Sequence, residues 1–464
     1  MTASLVHPIV DQGLGNSSYL VDLGDGRALV VDPVRDPAPY LDLAHRRRLW
    51  ITHAVETHLH ADFVSGSREL AARGARVVAA RAAGLGFPHQ GLDDEDELDL
   101  GGLRLRAVAA PGHTPEQLAW LLLDGARPLA LFSGGALLVG GVARTDLIDP
   151  DQTEALTRAA WRSLQRLRAL PDDLPVYPTH GAGSFCSAPG AAERTTTIGA
   201  ERAHNPLLAA PDEEAFAARL LGGLGGFPPY FLRLREVNRR GPRLLEERDR
   251  TLAALPVQEV RRRLDEGAVL VDVRPAGAFA AGHPAGALSI ALRPAFATWL
   301  GWLVEGDRPL VFLLDRGQDR AELLRQCLAI GYDRLLGELA GGLAAWREAG
   351  LPEGHLEPVA PAEIDGPVLD VRQASEVALG HLPGAVAVEL GKLGIDRGTP
   401  LGFPGPLRGE GLPAGPLTVM CEHGERATTA ASLLARPGRR DLRVVIGGGA
   451  AEWSAATGRP LARP

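Results

Sequence analysis

The sequence predicts an α/β protein of three modules: a layered sandwich, followed by two smaller α/β domains with parallel sheets. Three observations carry this expectation. The 464 residues exceed what one ordinary hydrophobic core holds. Short strands come first in hairpins and then alternate with helices, which is the pattern of layered α/β folds. The rest of the chain repeats itself: Val269-Leu270-Val271-Asp272-Val273-Arg274 with Gly282-His283 returns about a hundred residues later as Val368-Leu369-Asp370-Val371-Arg372 with Gly380-His381. That spacing suits two whole small domains rather than solenoid units.

Taken in order, residues 18–22 and 28–33 read as strands separated by the turn Gly24-Asp25-Gly26. Residues 76–79, 103–108 and 118–123 are further strand candidates. Residues 153–170 have helical periodicity, with Leu156, Ala160, Leu164 and Leu167 on one face. The first domain is expected over 1–230. A linker rich in Pro, Gly and Arg follows over 231–255, and two domains occupy 256–357 and 358–464. Each of these continues from its repeat motif into an apolar strand (309–314, 417–420), a loop and a helix. Each closes on glycines before Trp346 or Trp453.

The composition, 45% apolar and 23% charged, is that of a soluble globular chain. A net charge of −8 argues against general nucleic-acid affinity. Lys392 is the only lysine, and the heavy use of Arg reflects a GC-rich genome better than Arg-specific binding. No apolar stretch reaches bilayer length, so no membrane partner is expected. Residues 1–7 lack the basic and apolar regions of a signal peptide. The three cysteines, Cys186, Cys327 and Cys421, form no C-x-x-C pair, which points to a reducing, cytoplasmic location.

Cys421 follows the strand at 417–420 and precedes a helix at 427–434. There the helix dipole and converging N–H groups favour a thiolate, the nucleophilic form of cysteine. Cys327 lies in a helical run, 321–330, and is expected in the core; Cys186 follows a His-Gly loop with no such context. Asp370-Val371-Arg372, Gly380-His381 and the loop Cys421-Glu422-His423-Gly424-Glu425-Arg426 occur in the order found in rhodaneses, which this segment resembles. The resemblance implies that Cys421 accepts a sulfane sulfur as a persulfide, with Glu422, His423, Gly424, Glu425 and Arg426 cradling it and Arg426 catalytic. The four residues between Cys421 and Arg426 make a shorter loop than that of cysteine-dependent phosphatases, which favours sulfur over phosphate transfer. In the middle copy Asp315 stands in place of the cysteine, so that domain is expected to be catalytically silent, its loop kept in shape by Gly317 and Arg320.

His58-Leu59-His60-Ala61-Asp62 is an H-x-H-x-D run after a strand, a pattern that gathers metal ligands, and Phe63 stands where a further His would complete it. With Pro111-Gly112-His113-Thr114-Pro115-Glu116, Phe132-Ser133-Gly134-Gly135-Ala136, Arg144-Thr145-Asp146 and Pro178-Thr179-His180-Gly181, this part resembles the persulfide dioxygenase branch of the metallo-β-lactamase superfamily. The whole chain resembles the bacterial persulfide dioxygenase–rhodanese fusions. The resemblance implies a metallo-β-lactamase-type αββα sandwich followed by two rhodanese-like α/β domains. It also implies oxidation of a persulfide such as glutathione persulfide by O₂, at one Fe(II) held by two His and one Asp.

His58 and His113 match the family histidines, and Gly135 stands where the carboxylate ligand should be. His60, Asp62 and His180 are the available substitutes, and His58, His60 and His113 together also suit Zn(II). Three cofactor states therefore stay open: Fe(II), Zn(II) and a metal-free polar cluster. His53, His89 and His204 match no ligand position and are expected on the surface or in loops. The expected function is sulfane-sulfur transfer through Cys421, with a persulfide-binding first domain whose dioxygenase activity is impaired or lost. The alternatives are an active Fe(II) persulfide dioxygenase fused to rhodanese, a zinc thioester hydrolase of glyoxalase II type, and a non-catalytic persulfide carrier or sensor. The partners expected are a small persulfide, thiosulfate or thiol, and a homo-oligomer is compatible with the sequence.

Overall fold

A computed structural model of the chain describes residues 5–187, 193–393, 412–413, 415–436 and 438–463; the leader reading at residues 1–4 lies outside them. The chain divides into two compact units, Met1–Glu246 with Cys327–Gly331, and Glu247–Gln326 with Tyr332–Pro464.

The first unit holds two six-stranded sheets. One runs in sequence order through Val6–Asp11, Asn16–Asp22, Arg27–Val31, Trp50–Val55, Arg76–Ala80 and Gln90–Leu92. The other has the order Thr196–Thr197, Pro175–Pro178, Arg127–Gly134, Leu118–Asp124, Leu103–Ala109 and Glu97–Asp99. Side chains alternate between the faces of a strand. In Leu118–Asp124 this sends Trp120 and Leu122 into one core with Tyr19, Leu29, Val55 and Phe132. Leu121 and Leu123 enter a second core with Ala160, Leu164 and Leu167 of the helix Thr153–Leu167. A strand covered on both faces is apolar at every position, which is why residues 118–123 are unbroken by polar residues and only the exposed end, Asp124, is charged. The chain thus has the metallo-β-lactamase sandwich its motifs imply.

The expected connector at 231–255 is different in its first half. Phe231–Arg240 is a helix with Phe231, Leu234 and Asn238 buried, and the first unit extends to Glu246. Arg and Pro-rich flanks hid a helix that buries only two apolar side chains, Phe231 and Leu234, beside the polar Asn238.

The second unit contains two five-stranded parallel sheets of identical order. These are Ala254–Leu255, Leu335–Leu339, Leu310–Leu313, Val269–Asp272, Leu288–Ser289, and then Glu357–Val359, Leu442–Val445, Leu417–Met420, Val368–Asp370, Val386–Ala387. The repeat extends to side-chain chemistry. Arg274 forks onto Asp272 and donates to the Gly282 carbonyl at 2.8 Å. Arg372 does the same with Asp370 and Gly380, again at 2.8 Å. A buried carboxylate paired this way ties the strand end to the following helix in each copy. Trp346 and Trp453 are buried at equivalent places. Among the described residues no helix is long and apolar enough to cross a membrane.

Candidate functional site

The metal-loop residues collect at strand ends of the first unit. His58, His60 and Asp62 follow Trp50–Val55, His113 lies between Leu103–Ala109 and Leu118–Asp124, and His180 follows Pro175–Pro178. The backbone stitches these loops together, Leu118 N–H donating to the Thr57 carbonyl and Thr179 N–H to that of Gly134. Gly112 places His113: its φ of +156° and the Ala160 Cβ, 2.5 Å from where a Cβ would stand, leave room for glycine alone. His58, His60, Asp62, His113 and His180 are all buried.

Each imidazole has one nitrogen engaged by the protein. The Thr57 hydroxyl donates to Asp32 at 2.7 Å, so it accepts from His58 Nδ1 at 2.8 Å. His113 Nδ1 donates to the Arg144 carbonyl at 2.6 Å, and His180 Nδ1 to Asn16 Oδ1 at 3.0 Å. These bonds leave the Nε2 lone pairs of His58, His113 and His180 facing inward. His113 Nε2 and Asp62 Oδ1 are buried without a hydrogen-bond partner. His58 Nε2 and His180 Nε2 face each other at 3.3 Å, about the separation of two nitrogens on a tetrahedral ion with ~2.0–2.1 Å bonds. Such lone pairs repel unless a cation lies between them. The same fixed-tautomer arrangement orients histidine ligands in metal sites generally, and the buried donors indicate a metal site here.

Electrostatics separates His60 from the rest. Its Nε2 lies 3.0 Å from Glu56 and 3.2 Å from Asp32. Burial would lower its pKa, but Asp32 and then Glu56 raise it to about 10, so His60 is cationic at neutral pH. His58 is pushed well below the usual histidine value by burial and by its histidine neighbours. Burial and His180 take His113 to about 3. Both are neutral and have free lone pairs. Burial works to raise the Asp62 carboxyl, and His180 outweighs it and holds the group low.

Several participants were not singled out in the sequence. Asp32, with φ of +49° and fully buried, joins Thr57, Thr179 and His60. Asn16 bridges Asp62 and His180. Asn238 holds the His60 and Phe63 carbonyls at 2.8 Å each. Cys186 belongs to the cluster too: its sulfur lies within 4.8 Å of ligand nitrogens on His113 and His180. Burial, then the Asp62 carboxylate, pushes its thiol well above the usual range. Of the histidines expected outside the site, His204 is exposed and His89 half-buried in a loop. His53 corrects that expectation, being buried in the strand Trp50–Val55 with Nδ1 2.9 Å from Thr52 Oγ1.

In the last copy, Cys421 directly follows the strand Leu417–Met420 and Gly424 caps the helix Glu425–Ala435 with φ of +104°. The Gly424 N–H donates to Cys421 Sγ at 3.1 Å. Glu422 and Glu425 are half-buried and His423 is exposed. Arg426 makes two bonds to Glu376, at 2.6 and 2.8 Å, so its charge is balanced within the protein. In the middle copy Asp315 is exposed. Arg320 turns into its own loop, donating to the carbonyls of Asp315, Arg316 and Gln318 at 3.0, 3.2 and 2.7 Å. Cys327 is in the core, where burial pushes its thiol pKa upward.

Residues 11–180 match the metallo-beta-lactamase superfamily, and residues 256–349 and 357–456 each match the rhodanese-like domain. The mitochondrial persulfide dioxygenase of Homo sapiens is 30% identical over 212 residues, covering 45% of this chain and 76% of the relative. The chain belongs to the persulfide dioxygenase–rhodanese fusion family. Membership makes it an enzyme of sulfur metabolism acting on small sulfur compounds. A metallo-beta-lactamase structure from Staphylococcus aureus, 28% identical, covers 72% of this fusion chain and 98% of its own, with a TM-score of 0.63. A hydroxyacylglutathione hydrolase of Methylococcus capsulatus is 36% identical over 169 residues, 36% of this chain and 62% of its own length, so the fusion chain spans less than two thirds of it.

The iron set implied by the fusion family does not fit this pocket. It needs a carboxylate at Gly135. A Cβ there would stand 2.6 Å from His113 Cδ2 and 2.9 Å from Ala143 Cβ. The His113 ring has taken the space through which an Asp side chain would reach the cation.

Proposed function

We propose that the chain is a sulfane-sulfur transferase working through Cys421. The observation that carries this reading is the bond from the Gly424 N–H to Cys421 Sγ at the start of an eleven-residue helix. A sulfur placed there is stabilised as an anion by an N–H and by the helix dipole. The Cys421 thiolate attacks the outer sulfur of thiosulfate, the S–S bond breaks, and sulfite leaves with its electron pair. The resulting persulfide anion occupies the same loop until an acceptor thiolate attacks its terminal sulfur and regenerates Cys421. Arg426, neutralised by Glu376, acts by positioning the helix start rather than as a free anion receptor. The first unit would bind a low-molecular-weight persulfide. Support comes from a cavity of about 260 Å³ lined by Leu138, Val142, Ala182, Arg219 and Leu220. The modules at 256–357 and 358–464 serve as silent and active rhodaneses.

Dioxygenation by Fe(II) and two-metal thioester hydrolysis both require the carboxylate absent at Gly135, so neither is the favoured activity. The test is thiosulfate:thiol sulfurtransfer by the full chain. Activity should fall to the uncatalysed level in Cys421→Ser and persist in Cys327→Ser. Equal rates for parent and Cys421→Ser defeat the proposal.

A further inference from the structure

We propose that the first unit binds one divalent cation through His113, His180 and the thiolate of Cys186. In this set the cysteine supplies the anionic ligand that the family draws from the position of Gly135. The site is separate from the Cys421 chemistry and stands or falls without it.

Three buried residues bring their donor atoms within 4.8 Å of one another here. His113 Nε2 has no partner, while Nδ1 of the same ring is fixed on the Arg144 carbonyl. His180 Nδ1 is fixed on Asn16, which directs its Nε2 into the cluster. Cys186 is positioned from both sides of its peptide: its N–H donates to Ser184 Oγ at 3.2 Å and its carbonyl accepts from Arg144 N at 2.8 Å. Two neutral imidazoles and one thiolate form a donor set that borderline-soft cations, zinc foremost, take in tetrahedral sites. The unpartnered Asp62 Oδ1 and His58 Nε2 stand beside it for the remaining position.

Two other groups of donors exist among the described residues and are weaker. His58, His60 and His180 bring no anion to offset a divalent charge. Asp32, Glu56 and His60 already satisfy one another with hydrogen bonds. The set with Cys186 combines the unpartnered His113 Nε2 with a ligand able to carry negative charge and not already tied up by its neighbours' hydrogen bonds. As the metal–sulfur bond forms, the thiol proton leaves to solvent, and no electron transfer is involved.

The probe is Co(II), added anaerobically to the full-length protein. A thiolate-to-cobalt charge-transfer band in the near ultraviolet is expected at one equivalent. Cys421→Ser and Cys327→Ser should keep the band and Cys186→Ser should lose it. X-ray absorption on the zinc-loaded parent, which needs no variant, should find one sulfur neighbour at about 2.3 Å among nitrogen ligands. No cobalt bound, a band that survives in Cys186→Ser, or a zinc shell without sulfur would each overturn the assignment.

Discussion

Gly135→Ala tests whether the pocket is closed where the family keeps its carboxylate. Gly135 does not need a glycine backbone, since its φ is not among the positive ones. An alanine would therefore gain about 0.4–1 kcal/mol by restricting the unfolded chain. Sterics work against it. The new Cβ would stand 2.6 Å from His113 Cδ2 and 2.9 Å from Ala143 Cβ. Neither neighbour yields easily: His113 is held at 2.6 Å by the Arg144 carbonyl, and Ala143 N–H donates to the Gly135 carbonyl at 2.9 Å. Overpacking of this kind costs about 1–3 kcal/mol, leaving a net destabilisation of about 1.3 kcal/mol at the midpoints of the two ranges. Urea unfolding of the full chain, followed by hydrogen exchange in peptides spanning residues 113–143, reads that loss in the first unit. Gly135→Asp should lose at least as much and recover no iron. An alanine variant as stable as the parent, or stoichiometric iron in the aspartate variant, refutes the reasoning.

Asn238→Ala should destabilise the first unit by about 3 kcal/mol, since it leaves the His60 and Phe63 carbonyls and the Ser65 N–H buried without partners; urea midpoints measure it. Glu376 titrates with a definite sign: burial works to raise its carboxyl, but the Arg426 bonds outweigh this and hold it below the usual range. The stability the pair adds is therefore complete above the usual glutamate value of about 4.3 and is lost as pH falls through the lower folded value. Glu376→Gln should remove that acid limb from the unfolding profile of the second unit. Asp315→Cys, made in a Cys421→Ser background, should gain no sulfurtransferase activity, because Arg320 already occupies the carbonyls of that loop.

The parts of the molecule that depend on local pattern were readable in the chain. Trp120 and Leu122 against Leu121 and Leu123 follow from strand alternation. The two parallel sheets follow from the Asp272-Val273-Arg274 and Asp370-Val371-Arg372 echo. Parts that depend on tertiary closure were not. Asp32 meets His60 across 28 positions, and Asn238 reaches the same loop from 178 positions away. Neither sits in a motif, and nothing local marks Asn238 as buried rather than as part of a polar linker. His53 was misread because a lone histidine that matches no ligand position resembles a loop residue until sheet pairing buries it. Arg426 stands where the loop pattern requires, yet its Glu376 partner lies 50 positions upstream, so the pairing could not be read from the loop.

The two missing family ligands act together on the pocket. Phe63 is fully buried and stacks on His60 at 4.2 Å and 26°. It fills the side where a second cation would need a histidine. His60, pinned by Asp32 and Glu56 and cationic at neutral pH, repels a metal on that same side. The His113 ring covers Gly135 from the other direction. The donor atoms left available lie around His180, whose Nε2 faces His58 and lies within the group containing His113 and Cys186. A cation displaced from the family position has one side chain within reach of that nitrogen, besides Asp62, that becomes an anionic ligand on losing its proton to the bond, and it is Cys186. Loss of the carboxylate thus leads to a different coordination sphere rather than to an empty version of the original one. The protein keeps His58 and His113 neutral and leaves His113 Nε2 buried without a partner, where a purely structural cluster would have paired every nitrogen.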